Sequence, residues 1–114
     1  MTDLELADIE KNITSSKEVI DFGKAVERLK TNRDFKKVIL EGYLEKEAIR
    51  LVHLKADPSV QTPVQQTSII AAIDAIGNLA SFLSDAIRSG EISTKQLADS
   101  EQMREEMINE ERGE

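Results

Sequence analysis

Cysteine is absent from the sequence, which excludes disulfide frameworks, thiolate metal centres and thiol catalysis. Tryptophan is absent as well, and aromatic residues make up only 4% of the chain. Any core must therefore be aliphatic, with Phe22, Phe35, Tyr43 and Phe82 as its few large fillers. Proline stands at positions 58 and 63 alone, so long stretches carry no helix breaker. No run of apolar residues approaches the roughly 18–20 needed to span a bilayer. The opening segment MTDLELADIEKN is acidic and has no apolar centre, unlike a signal peptide. A soluble chain, cytoplasmic when made, is expected. No glycine run follows a strand pattern, so no phosphate-cradling loop is expected either.

What is present suits a single helical domain over residues 1–114. Apolar residues reach 39%, enough for one modest core, and charged residues reach 32%. The net charge of −7 is unevenly spread. Residues 99–114 carry Asp99, Glu101, Glu105, Glu106, Glu110, Glu111 and Glu114 against two arginines. Residues 24–37 reverse the balance, with Lys24, Arg28, Lys30, Arg33, Lys36 and Lys37 against Glu27 and Asp34. The chain thus reads as a cationic elbow followed, much later, by an anionic tail.

Periodicity and capping chemistry point to an all-α fold whose centre is a long helical hairpin, about 32–56 and 63–89, folded over the turn DPSVQT. Asn32 offers N-cap chemistry and Asp34 suits the first turn. Apolar residues from Phe35 to Leu54 cover a wider arc than a two-helix seam needs, so this helix is expected to touch neighbours on two sides. Gly42 interrupts it at a cost of about 1 kcal/mol relative to Ala, for which close approach of another helix is the plain reason. Pro58 ends the helix, and Thr62, Pro63 and Gln65 start the next with a capping box. Ile69, Ile73, Ile76, Ala80, Leu83 and Ile87 then repeat at heptad-like spacing.

The flanks read less sharply. Residues 3–30 are expected to be helical, with a break near Thr14–Ser16 where Ser15 and Glu18 form a second capping box. Val19, Phe22, Val26 and Leu29 make one apolar stripe, and Leu6, Ile9 and Ile13 a weaker one. Gly90 is the expected end of the hairpin's second helix. Ser93 and Gln96, with Ile92 and Leu97 as a staple, would start a separate charged helix over 94–112. Residues 1–14 and 110–114 are expected to be flexible or to order on a partner.

The candidate chemistry is weak beside its bland alternatives. His53 is the one histidine and has no evident partner for acid–base work, so an exposed helical histidine is the favoured reading. A di-metal bundle site needs Glu-x-x-His motifs, and the residue three before His53 is Arg50. The glutamates fit a solvated face better, with Lys37–Glu41, Glu47–Arg50 and Glu101–Arg104 as helical pairs. No catalytic residue, metal or cofactor is expected. The apolar faces lack the basic flank of a membrane-surface helix. The elbow is the strongest competitor: six bases around a helix break can meet phosphate. Charge complementarity between protein chains, or with the chain's own tail, is favoured over nucleic acid, because the total charge is acidic and no recognition helix is evident.

The words Phe35-Lys36-Lys37, Glu41-Gly42-Tyr43 and Ala75-Ile76-Gly77, with the tail EQMREEMINEE, carry a resemblance over roughly residues 28–111. The chain resembles small uncharacterised helical proteins encoded among the structural genes of tailed bacteriophages. That resemblance implies a virion component or head-assembly accessory, assembled in the bacterial host cytoplasm. It carries no functional residue over, since the matching words mark packing. The expected partners are phage structural proteins or further copies of the chain, nucleic acid less so, and no membrane. A packaging accessory using the 24–37 segment and a regulator of a phage or host enzyme stand as alternatives. The expected partner-binding residues are Arg33, Phe35, Lys36, Lys37, Ile39 and Tyr43 on the hairpin, and Leu97, Met107 and Ile108 on the tail helix.

Overall fold

A computed structural model describes residues 2–113. Its elements are α1 (Asp3–Thr31), α2 (Arg33–Phe35), a π-helical segment (Lys36–Glu47), α3 (Ala48–Ala56), a 3-10 turn (Pro58–Val60) and α4 (Pro63–Glu111). No strand occurs among the described residues, and the all-α class stands. Two compact units emerge among the described residues, one from 2–26 with 86–113, the other from 27–85.

The first unit pairs the N-terminal part of α1 with the C-terminal part of α4. The start of α1 is capped by a reciprocal box: the Thr2 N–H donates to Glu5 Oε2 at 3.3 Å, and the Glu5 N–H donates to Thr2 Oγ1 at 3.2 Å. Residues 3–14, expected to fray or await a partner, are helical here; Met1 and Glu114 lie outside the described residues. The break expected near Thr14–Ser16 is not formed. The Thr14 hydroxyl donates back to the Glu10 carbonyl at 3.1 Å, and Ser16 is buried within the running helix. Ser15 has no helix start to cap, because the turn before it is already helical.

The buried line on α1 is Ile13, Ser16, Ile20, Gly23 and Val26. Of the expected stripe only Val26 is buried; Val19, Phe22 and Leu29 are exposed. The reason lies at Gly23. A Cβ there would stand 2.9 Å from the Ala86 carbonyl oxygen and 3.3 Å from Gly90 Cα. Two helices that approach this closely select the face bearing their smallest residues, and the larger apolar groups turn outward. Gly90 therefore does not end a helix. It lies inside α4, packed against Gly23 Cα and the Val19 carbonyl, and the Thr94 hydroxyl donates to its carbonyl at 2.8 Å. Ser93, expected as an N-cap, is buried in the same helix. The left-handed residue that follows α4 is Gly113, at φ 75, whose N–H donates to the Glu110 carbonyl at 3.0 Å.

The second unit is the expected hairpin. Asn32 caps its first helix, its Oδ1 accepting the Phe35 N–H at 2.9 Å. The chain then stays helical in φ and ψ through Phe35, Lys36, Glu47 and Ala48. Over Lys36–Glu47, however, it widens into π geometry. This corrects the reading of Gly42: a Cβ there would meet Lys37 O, of its own helix, at 3.2 Å. The close approach comes from the widened turn itself, and no neighbouring helix is needed to explain the glycine.

The turn is built as its residues suggest. Asp57 accepts from the Ser59 N–H and hydroxyl, both at 2.8 Å. The Gln61 amide donates to the carbonyls of Lys55 and Asp57, and the Gln66 amide to those of Lys55 and Val60. Thr62 and Gln65 form the expected capping box, with the Gln65 N–H on Thr62 Oγ1 and the Thr62 N–H on Gln65 Oε1, each at 3.2 Å. Leu51, Ile69 and Ile76 are the buried centre, with Tyr43, Leu44, Leu54, Val60 and Ile73 packed around it. The heptad-like seam thus faces inward, as its spacing predicts.

Candidate functional site

The cationic elbow holds three of the expected partner-binding residues together. Arg33, Lys36 and Lys37 are exposed and line one pocket with Thr31 and Glu41. The Asn32 cap fixes this arrangement, because it starts the helix at Arg33 and sets the three bases within the next turn and a half. Phe35, Ile39 and Tyr43 are half-buried, and Tyr43 packs against the hairpin core. Tyr43 thus supports the hairpin more than it offers a free face.

The tail residues lie differently. Met107 is buried in the first unit, and Leu97 and Ile108 are half-buried. The C-terminal part of α4 packs back on α1 and spends most of its apolar face there. Beside Met107 an open groove of about 460 Å³ remains. Its apolar lining is Ile9, Met103 and Met107, and the acids Glu5, Asp8, Glu106 and Glu110 flank it. Two carboxylates come from each helix. Sequence reading missed this groove because Glu5 and Asp8 are remote from the tail in the chain. Only a continuous α1 running against α4 brings them beside Glu106 and Glu110.

Several large apolar side chains of the hairpin unit are also uncovered. Val38 is 60% exposed, Ile49 54%, Val52 59% and Ile70 44%, all within the hairpin unit. Within α4, a stretch of 18 residues has a mean hydropathy of 1.4, and only 17% of it is buried. By length and composition that stretch is apolar enough to cross a bilayer, which the count of unbroken apolar residues did not suggest. Gly77 has nothing within 4 Å of the place a Cβ would take, so its side of the helix is open.

Conventional site chemistry is sparse. His53 is exposed on α3. Among the described residues no group of three or more His, Asp or Glu side chains could hold a metal ion. The expected Glu47–Arg50 ion pair is formed, between a half-buried glutamate and an exposed arginine. Among the described residues, Asp57 is the one carboxyl held clearly below its ordinary range. Its cause is the backbone N–H of Ser59, followed by the Ser59 hydroxyl, both of which favour the ionised oxygen. That is turn chemistry, and Asp57 lines neither the basic pocket nor the acid-flanked groove.

No protein-family model, no curated protein and no solved structure matches the chain. Among the described residues the geometry offers a basic pocket, an acid-flanked groove floored by methionine, and exposed apolar side chains on the hairpin unit.

Proposed function

We propose that the chain is a non-enzymatic assembly protein of a tailed-phage virion, associated with head, portal or neck, that works through helix-face contacts with phage structural proteins or with further copies of itself. The observation that carries this reading is the exposure of large apolar side chains on the hairpin unit, Val38, Ile49, Val52 and Ile70 among them. Covering the exposed half of each such side chain contributes about 1 kcal/mol, from roughly 1.5–3 kcal/mol for full burial. Four of them together give about 4 kcal/mol, at the low edge of the roughly 4–15 kcal/mol that association costs. The apolar surface therefore needs repetition over several copies, or help from charge, to hold a complex. That is the regime of an assembly part. The phage origin rests on the resemblance of residues 28–111.

Membrane insertion of α4 is the poorer use of the same surface. Asp74 and Asp85 lie in its apolar half, and an aspartate near a helix centre costs about 2.5–3.5 kcal/mol to place in a bilayer. A packaging accessory that binds nucleic acid is a second reading, supported by Arg33, Lys36 and Lys37 on one pocket. A regulator of a phage or host enzyme, its acidic tail mimicking nucleic acid, draws only on the charge of residues 99–114.

The test combines quantitative proteomics of purified virions with light scattering of the isolated protein. A fixed copy number in virions, and an oligomer that weakens at least tenfold in Ile70→Ser/Val52→Ser, are expected. Absence from virions with a strict monomer in solution would overturn the assignment. Flotation with vesicles would replace it by a membrane role. Salt-sensitive DNA binding lost in Lys36→Glu/Lys37→Glu would replace it by the packaging role.

A further inference from the structure

The acid-flanked groove and the basic pocket are complementary in both charge and polarity. The groove presents Glu5, Asp8, Glu106 and Glu110 around Met103 and Met107. The elbow presents Arg33, Lys36 and Lys37, with exposed Val38 next in the chain and one acid, Glu41, among them. Methionine floors suit an occupant that is not rigidly matched, since the side chain is flexible and polarizable. A carboxylate flank rejects acidic surfaces and accepts basic ones.

We infer that the groove formed by α1 and α4 of one copy receives the Arg33–Lys37 elbow of a second copy. The inference rests on the assembly reading above and names its contact. Groove and elbow are different surfaces of the same chain, so each copy can give one and receive the other. The contact closes as a reciprocal two-fold dimer or continues into a ring or an open chain. It also makes assembly salt-dependent, because the exposed charges that set the register are screened over about 10 Å at 0.1 M salt.

The experiment uses two full-length variants, Glu106→Lys/Glu110→Lys for the groove and Lys36→Glu/Lys37→Glu for the elbow. Their mass is followed by analytical ultracentrifugation at 50 mM and 500 mM salt, with circular dichroism to confirm wild-type helicity. The wild type is expected to form dimers or larger species at low salt, and this association is expected to weaken at least tenfold at high salt. Each variant alone is expected to be monomeric: in the elbow variant groove and elbow are both acidic, and in the groove variant two lysines offset Glu5 and Asp8, leaving no net charge to hold the elbow. An equimolar mixture is expected to reassociate, because the groove variant's intact basic elbow then meets the elbow variant's intact acidic groove.

A mixture that stays monomeric overturns the inference, as does a wild type that never self-associates. Undiminished oligomers in both variants also overturn it, while leaving helix-face assembly through the hairpin intact. If a charge reversal lowers helicity, Glu106→Gln/Glu110→Gln keeps the side-chain shape. That pair must still weaken wild-type association at least severalfold for the inference to stand.

Discussion

Gly23 and Gly90 meet backbone to backbone: a Cβ on Gly90 would lie 3.4 Å from Gly23 Cα, and one on Gly23 would lie 2.9 Å from the Ala86 carbonyl oxygen. The two positions are therefore unequal. Gly23→Ala forces a backbone shift, and overpacking of this kind costs about 1–3 kcal/mol, against a helix-propensity gain of about 1 kcal/mol. Gly90→Ala meets only ordinary van der Waals contact and keeps the propensity gain. Thermal denaturation should show Gly23→Ala destabilised and Gly90→Ala neutral or slightly stabilised. Equal losses at both positions would contradict the asymmetry.

Gly77 is the control for that pair. With nothing within 4 Å of its Cβ position, Gly77→Ala should stabilise the isolated chain by about 1 kcal/mol. Urea denaturation at low protein concentration checks it, since dilution removes any contribution from association.

Thr62 and Gln65 start α4 by reciprocal hydrogen bonds. Thr62→Ala removes the acceptor of the Gln65 N–H and should cost about 1 kcal/mol, whereas Thr62→Ser keeps it and should cost much less. Chemical denaturation of the two variants side by side distinguishes loss of the cap from loss of side-chain bulk.

Asp57 titrates below the ordinary aspartate range because the Ser59 N–H and hydroxyl hold its ionised form. A depressed folded pKa means that its contribution is complete above the unfolded value and is lost as pH falls through the folded one. Acid should therefore loosen the turn, with Thr62 and Gln65 amide signals shifting only below about pH 4, near the unperturbed aspartate value. In Asp57→Asn the amide oxygen still accepts from Ser59, and that pH dependence should vanish. NMR titration of the two proteins reads both outcomes.

Much of the hairpin was legible because its signals are local. Asn32, Asp57, Pro58, Thr62 and Gln65 each act within four residues, and the seam from Ile69 to Leu83 needs only a period. The capping box of Thr2 and Glu5 is legible on the same terms, since it acts within three residues. Gly90 and Ser93 misled because residue type was weighed over register. Positions 69, 76, 83, 90, 97 and 104 stand at intervals of seven, and all are buried or half-buried. That register carried α4 straight through the glycine. A seam made of Ser16, Gly23, Gly90 and Ser93 has almost no hydropathy signal, so the first unit's pairing could not be read from apolar stripes. The π geometry of Lys36–Glu47 has no sequence signature comparable to a cap, and it changed the meaning of Gly42. Of the candidate surfaces, the elbow was visible as a charge run, whereas the groove needed two chain ends brought side by side.

The carbonyl of Lys55 accepts from both the Gln61 and the Gln66 amides. That carbonyl belongs to the peptide bond a trypsin-like protease would cut nearest the hairpin's bend. Surface turns are ordinarily where a folded chain is nicked first. Here the scissile group is tethered twice and must be released before it can enter a protease cleft as an extended strand. Digestion of the native protein should leave the bend intact long after other lysyl and arginyl bonds are lost, and the hairpin should persist as a single protected fragment.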